Sequence, residues 1–149
     1  MDADDYEFHL LLPMSIIFGS GAAQRIGGEA ERLGAKKVCI VTSRGMPKRG
    51  CMEQVTTSLS SHGLGFHIFA GVVPEPPIEN AYDCLSVAKA CGADLLIGLG
   101  GGSVLDVTKK VASDLGLRKI LMPTTAGTGS EVTNISVLKV EGRKEAFVG

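Results

Sequence analysis

Tryptophan is absent, tyrosine occurs twice and phenylalanine five times in the 149 residues, so any core must be built from aliphatic side chains. Basic excess is absent as well. Fifteen Lys and Arg stand against sixteen Asp and Glu, a formal net charge of −1. That balance excludes the general attraction to nucleic acid or anionic membrane on which binders of those partners depend. No apolar run reaches the ~18 residues of a membrane span. The N-terminal MDADDYEFHLLLP is acidic where a secretory signal would be basic, so the cytoplasm is the expected compartment. The four cysteines, Cys39, Cys51, Cys84 and Cys91, form no C-x-x-C pair, and reduced, mostly buried thiols are expected of them. The three histidines, His9, His62 and His67, contain no i, i+4 pair, and none groups with carboxylates at metal-ligand spacing. No metal site is therefore expected in this segment.

What the chain does have is glycine, 20 residues of it, within a composition that is 44% hydrophobic and 21% charged. A chain of this length buries about 70% of the surface its unfolded form exposes, enough for one domain spanning 1–149. The pattern alternates two periods. Short apolar runs at 15–19, 36–42, 65–70, 93–100 and 118–124 read as strands. Between them, 22–33, 48–62, 78–91 and 103–115 place apolar residues on one helical face, for example Val104, Val107 and Val111. Strand–helix alternation predicts an α/β fold: a Rossmann-like parallel sheet with helices on both faces and a ligand cleft at the carboxyl ends of the strands. The tail NISVLKVEGRKEAFVG breaks the alternation and reads as two short strands around Glu141–Gly142. Ending there with no closing helix suggests a fragment of a longer, two-domain protein.

Two segments carry chemistry. In LIGLGGGSVLDVTKK (96–110) a buried strand runs into Gly100, Gly101 and Gly102, and a helix opens at Ser103. Bare backbone at a helix N-terminus presents amide N–H groups and the positive end of the helix dipole to one spot, and phosphate is the natural occupant. Ser103 and Asp106 form an S-x-x-D capping box on the same helix. No Lys-Ser or Lys-Thr follows the glycines, so this is not the loop of a phosphoryl-transfer enzyme. In MPTTAGTGSEVTN (122–134) another strand ends in a hydroxyl-rich loop. Thr124, Thr125 and Thr128 can donate to phosphate or ribose oxygens, and Thr128 with Glu131 reads as a second capping box. Loops after successive strands are expected side by side, lining one cleft.

GGGSVLDVTKKVA and PTTAGTGSEVTN resemble the two signature segments of the iron-containing (group III) alcohol dehydrogenases. FGSGA near the start and the VVPEPP turn are similar too, and the likeness extends over residues 9–149. The resemblance implies a dehydroquinate synthase-like N-terminal domain that binds NAD or NADP. A following helical domain, absent here, would supply an Asp and three His to Fe²⁺ or Zn²⁺. Hydride would pass between nicotinamide and a small alcohol or aldehyde, in a homo-oligomeric enzyme; this segment would carry no catalytic residue and be inactive alone. Carried over, Gly102 and Ser103 would contact the pyrophosphate. Thr124, Thr125 and Thr128 would line the phosphate and nicotinamide side with Thr133 close by, and Lys144 would reach the ribose.

Two departures matter. The acidic residue that often ends the family's second strand is Ser43 here, followed by Arg44. Losing the acid removes repulsion of a 2′-phosphate, and the Arg could pair with it, which favours NADP over NAD. In the turn, Glu75 stands where the family usually has Asn, and a carboxylate there is unfavourable to a pyrophosphate unless it points away. Glycerol dehydrogenase-like or dehydroquinate synthase-like halves, and a non-catalytic nucleotide-binding module, are the alternatives.

Overall fold

The computed structural model describes residues 14–149; His9 and the acidic N-terminus lie outside them. Four parallel strands form the central sheet: β1 (Lys37–Ser43), β2 (Gly65–Val72), β3 (Leu95–Gly100) and β4 (Arg118–Pro123), in the order β2-β1-β3-β4. Four helices flank the sheet, and the last three supply the crossovers that parallel neighbours require. The four are α1 (Ile26–Arg32), led in by a 3-10 turn at Ala22–Arg25, then α2 (Gly50–Ser61), α3 (Ile78–Ala90) and α4 (Gly102–Leu115). A separate antiparallel hairpin follows, β5 (Ile135–Val140) and β6 (Arg143–Val148).

Side-chain alternation along β1 and β3 divides the core into two layers. Val38 and Ile40 of β1 with Leu95 and Ile97 of β3 face Ile26, Ala30, Val55 and Leu59 of α1 and α2. Cys39, Val41 and Leu96 face the other way, onto Ala81 and Cys84 of α3, Val104, Val107 and Val111 of α4, and Leu138 of β5. Every residue of β3 is buried, as a central parallel strand covered on both faces must be. Each fully buried Leu or Ile contributes about 1.5–3 kcal/mol over leaving it exposed. The starts of β1 and β3 are tied together by Asp94, whose carboxylate accepts from the backbone N–H of Lys36 (2.9 Å) and Lys37 (3.1 Å).

The α/β architecture and the helices on both faces match the sequence reading. The segment 15–19 does not. It pairs with no strand among the described residues, and Ile16 and Phe18 are 58% and 99% exposed. Strand preference reflects fit to a pleated, half-buried surface, and this apolar run meets none. The hairpin turn forms at Glu141–Gly142, both at positive φ (49° and 80°), the backbone a two-residue turn between twisted strands requires.

Candidate functional site

The carboxyl ends of β1 to β4 share one edge of the sheet, and the strand order reverses between β1 and β3. A crevice outside such a reversal is where open α/β sheets take ligands. β3 delivers α4 to that edge. Gly101 precedes the helix in extended conformation, and α4 begins at Gly102, one residue earlier than the pattern suggested. Among the described residues, the N–H groups of Gly102 and Ser103 have no hydrogen-bond acceptor, whereas those of Val104 and Leu105 turn back to the Gly101 carbonyl. Unpaired amides at the positive end of a 14-residue helix form an anion-binding element.

The loop after β4 lies directly against it. The Thr124 N–H donates to the Gly100 carbonyl at 2.9 Å. A Cβ on Gly101 would sit 3.3 Å from Thr125 Oγ1, and one on Gly102 would sit 2.9 Å from Thr128 Cγ2. A side chain at either glycine would thus press on the neighbouring threonine loop.

The capping readings are corrected. No side chain caps α4, because the helix starts before Ser103 and places it inside the first turn. Ser103 Oγ instead accepts from the Glu75 N–H at 3.3 Å. Asp106 Oδ1 accepts from Ser130 Oγ at 2.7 Å and lies 3.1 Å from Lys109 Nζ. Thr128 Oγ1 accepts from the Ser130 N–H at 3.3 Å, and the short 3-10 turn Ser130–Val132 has left-handed Gly129 before it with no side-chain cap.

Lys109 is the residue that sequence reading missed. Its side chain is fully buried, and its ammonium donates to the carbonyls of Ser130 (2.9 Å) and Ile135 and to Thr133 Oγ1 (3.3 Å). Burial pushes its pKa below 10.5, against the opposing pull of Asp106. With Asp106 it fastens the hydroxyl loop and the start of β5 to α4. The acid–base spacing i, i+3 on a helix face otherwise rich in Val and Ala was the available signal.

Gly102, Ser103, Asp106, Thr128 and Lys144 come together around one cleft of about 180 Å³, joined by Glu75 and Lys139. Gly100 and Gly101 form the strand-to-helix passage behind it, with Thr124 and Thr125 in contact with them. Thr133 turns into the Lys109 network, and Ser43 ends β1 outside the cleft lining. Glu75 does not stand alone. Its carboxylate meets Lys139 Nζ at 2.6 Å and Lys144 Nζ at 2.9 Å, and these two ammonium groups hold its pKa down at about 2.

The family model for iron-containing alcohol dehydrogenases matches residues 13–149. The chain belongs to that family. It is 40% identical, over 89% of its length, to long-chain-alcohol dehydrogenase 1 of Geobacillus thermodenitrificans, and covers 39% of that protein. It is 38% identical, over 83% of its length, to sulfoacetaldehyde reductase of Bilophila wadsworthia, covering 36% of it. The crystal structure of an NADH-dependent butanol dehydrogenase A from Thermotoga maritima superposes with a TM-score of 0.88 at 28% identity, over 96% of this chain and 41% of that one. The chain therefore spans about two-fifths of the length of these family members. Among the described residues, no three His, Cys, Asp or Glu side chains gather to hold a metal ion, so the donor set here does not fit the iron of the family name.

Proposed function

We propose that this chain is the dinucleotide-binding domain of a metal-dependent alcohol dehydrogenase or aldehyde reductase, in which hydride passes between a nicotinamide and a small alcohol or aldehyde. The observation that carries it is the pair of unpaired amides of Gly102 and Ser103 opening onto the cleft that Thr128 and Lys144 line. A pyrophosphate is matched there by backbone donors, helix dipole and a lysine. When bound, the nicotinamide supplies the hydride donor or acceptor. The chain's own residues bind and orient. Gly102 and Ser103 would hold the diphosphate, Thr124, Thr125 and Thr128 the neighbouring phosphate and nicotinamide side, and Lys144 the ribose. Ser43 and Arg44, at the end of β1, favour NADP(H) over NAD(H), because no acid opposes a 2′-phosphate. The metal ligands and most of the substrate pocket, which would lie between the domains, are assigned to the part of the family's length this chain does not span; the intact enzyme is read as a homo-oligomer, and the 149 residues alone are assigned no turnover.

Thermal protection of the chain tests the reading. NADPH should raise the unfolding temperature more than ATP or inorganic phosphate at equal concentration. Gly101→Val, whose Cβ alone would come within 3.3 Å of Thr125 Oγ1, should remove that protection. Equal protection by all three ligands, or an unaltered NADPH effect in the variant, would refute it.

A further inference from the structure

Glu75 occupies an unusual place. It is one of two non-glycine residues at positive φ among the described residues (47°), a conformation L side chains adopt at a cost. Its N–H donates to Ser103 Oγ in the first turn of α4, and its carboxylate bridges Lys139 on β5 and Lys144 on β6. All four residues line the same cleft. A negative group is thus fixed within a site whose amides and lysines otherwise suit an anion.

The two lysines are not equivalent. β5 is anchored to the turn that carries Glu75, since the Lys139 N–H donates to the Pro76 carbonyl at 2.9 Å. Lys139 and Glu75 are therefore held together by backbone as well as charge. Lys144 is tied to the turn by its ammonium alone, and its side chain is 62% exposed against 36% for Lys139. Lys144 is the cation that can change partner while Glu75 keeps Lys139.

Resting on the dinucleotide reading above, and taking Lys144 to serve the diphosphate as well as the adjoining ribose, we propose that the Glu75 carboxylate and an incoming diphosphate compete for the Lys144 ammonium, which makes Glu75 a specificity determinant of the cleft. Binding then requires an anion charged highly enough to draw Lys144 away. A diphosphate meets that condition better than a singly charged anion does. Glu75 lowers affinity and raises selectivity for charge.

Calorimetric titration of the 149-residue chain with inorganic pyrophosphate and, separately, NADPH tests this in four proteins: wild type, Glu75→Gln, Lys144→Met and the double variant. Glu75→Gln should tighten pyrophosphate binding roughly fivefold, the effect of removing one like charge a few ångströms away in a partly solvated site. Lys144→Met should weaken it, and adding Glu75→Gln to Lys144→Met should gain less than about twofold, because the contested cation is gone. No tightening in Glu75→Gln, or an equal gain with and without Lys144, would overturn the competition. Wild type that binds pyrophosphate in this pattern but not NADPH would sink the dinucleotide reading and leave the competition standing. Absence of binding by either ligand in all four proteins would overturn both.

Discussion

Replacing Lys109 by Met removes an ammonium while keeping an unbranched side chain of similar length in the same buried slot. Three donated hydrogen bonds are lost, to the carbonyls of Ser130 and Ile135 and to Thr133 Oγ1. Asp106 loses its cation and keeps the Ser130 hydroxyl. Breaking a buried pair by removing one partner costs about 3–5 kcal/mol. Asp106 retains 15% side-chain exposure, so water recovers part of its solvation and the lower end, about 3 kcal/mol, is expected. That is roughly a hundredfold in the folding equilibrium. In a domain of this size it amounts to roughly 10 °C in unfolding temperature. Because the chain lacks tryptophan, urea unfolding is best followed by circular dichroism. A loss below about 1 kcal/mol would refute the view that this network holds the hydroxyl loop. Adding Asp106→Asn to Lys109→Met should restore part of the loss, since the stranded charge disappears. The pH dependence has a definite sign. The folded-state pKa of Lys109 lies below 10.5, chiefly through burial, so the folded state binds fewer protons than the unfolded state in the window just beneath 10.5. Stability should rise with pH through that window, and Lys109→Met should lose this contribution to the slope.

Three further expectations follow from the same geometry. Gly98→Ala would put a methyl 2.6 Å from Thr108 Oγ1, which is itself buried and donates to the Val104 carbonyl at 2.7 Å; urea unfolding should show a loss of about 1–3 kcal/mol, smaller when Thr108→Ala is present too. Arg44→Ala should weaken NADPH about tenfold while leaving NADH nearly unchanged, and equal effects on both titrations would remove the basis for an NADP preference. Burial pushes the thiol of Cys39 up to about 12 and that of Cys84 upward as well, so mass spectrometry after labelling at neutral pH should find both unmodified until the chain unfolds.

The alternation of apolar runs and helical faces was enough to read the parallel sheet, its two covered faces and the closing hairpin turn. β3 was plain because a strand buried on both sides is apolar throughout. The run at 15–19 misled because apolar character signals a wish to be covered, and coverage depends on a partner that local pattern does not name. The two glycine- and threonine-rich loops were legible because backbone must be bare where two segments approach closely. Their capping residues were misread, by two positions in the first loop, where Gly101 and not Ser103 precedes the helix, and by one in the second, where Gly129 and not Thr128 precedes the turn. A helix that begins at Gly102 turns Ser103 toward the Glu75 turn and Asp106 toward Lys109. The first partner, 28 residues away, leaves no trace in spacing, whereas the second, at i, i+3, was there to be read. The Glu75 departure was visible, but its two lysines come from β5 and β6, and only the fold puts them within reach.

Thr125 and Thr128 lie where side chains on Gly101 and Gly102 would have to go, which makes the two loops a single mechanical part. Bulk admitted at a glycine must be surrendered at the facing threonine, or the Gly100–Thr124 hydrogen bond parts and the loops separate. Drift in this protein's descendants should therefore come in matched pairs across the seam, and transplanting one loop from a distant homologue should fail where transplanting both succeeds.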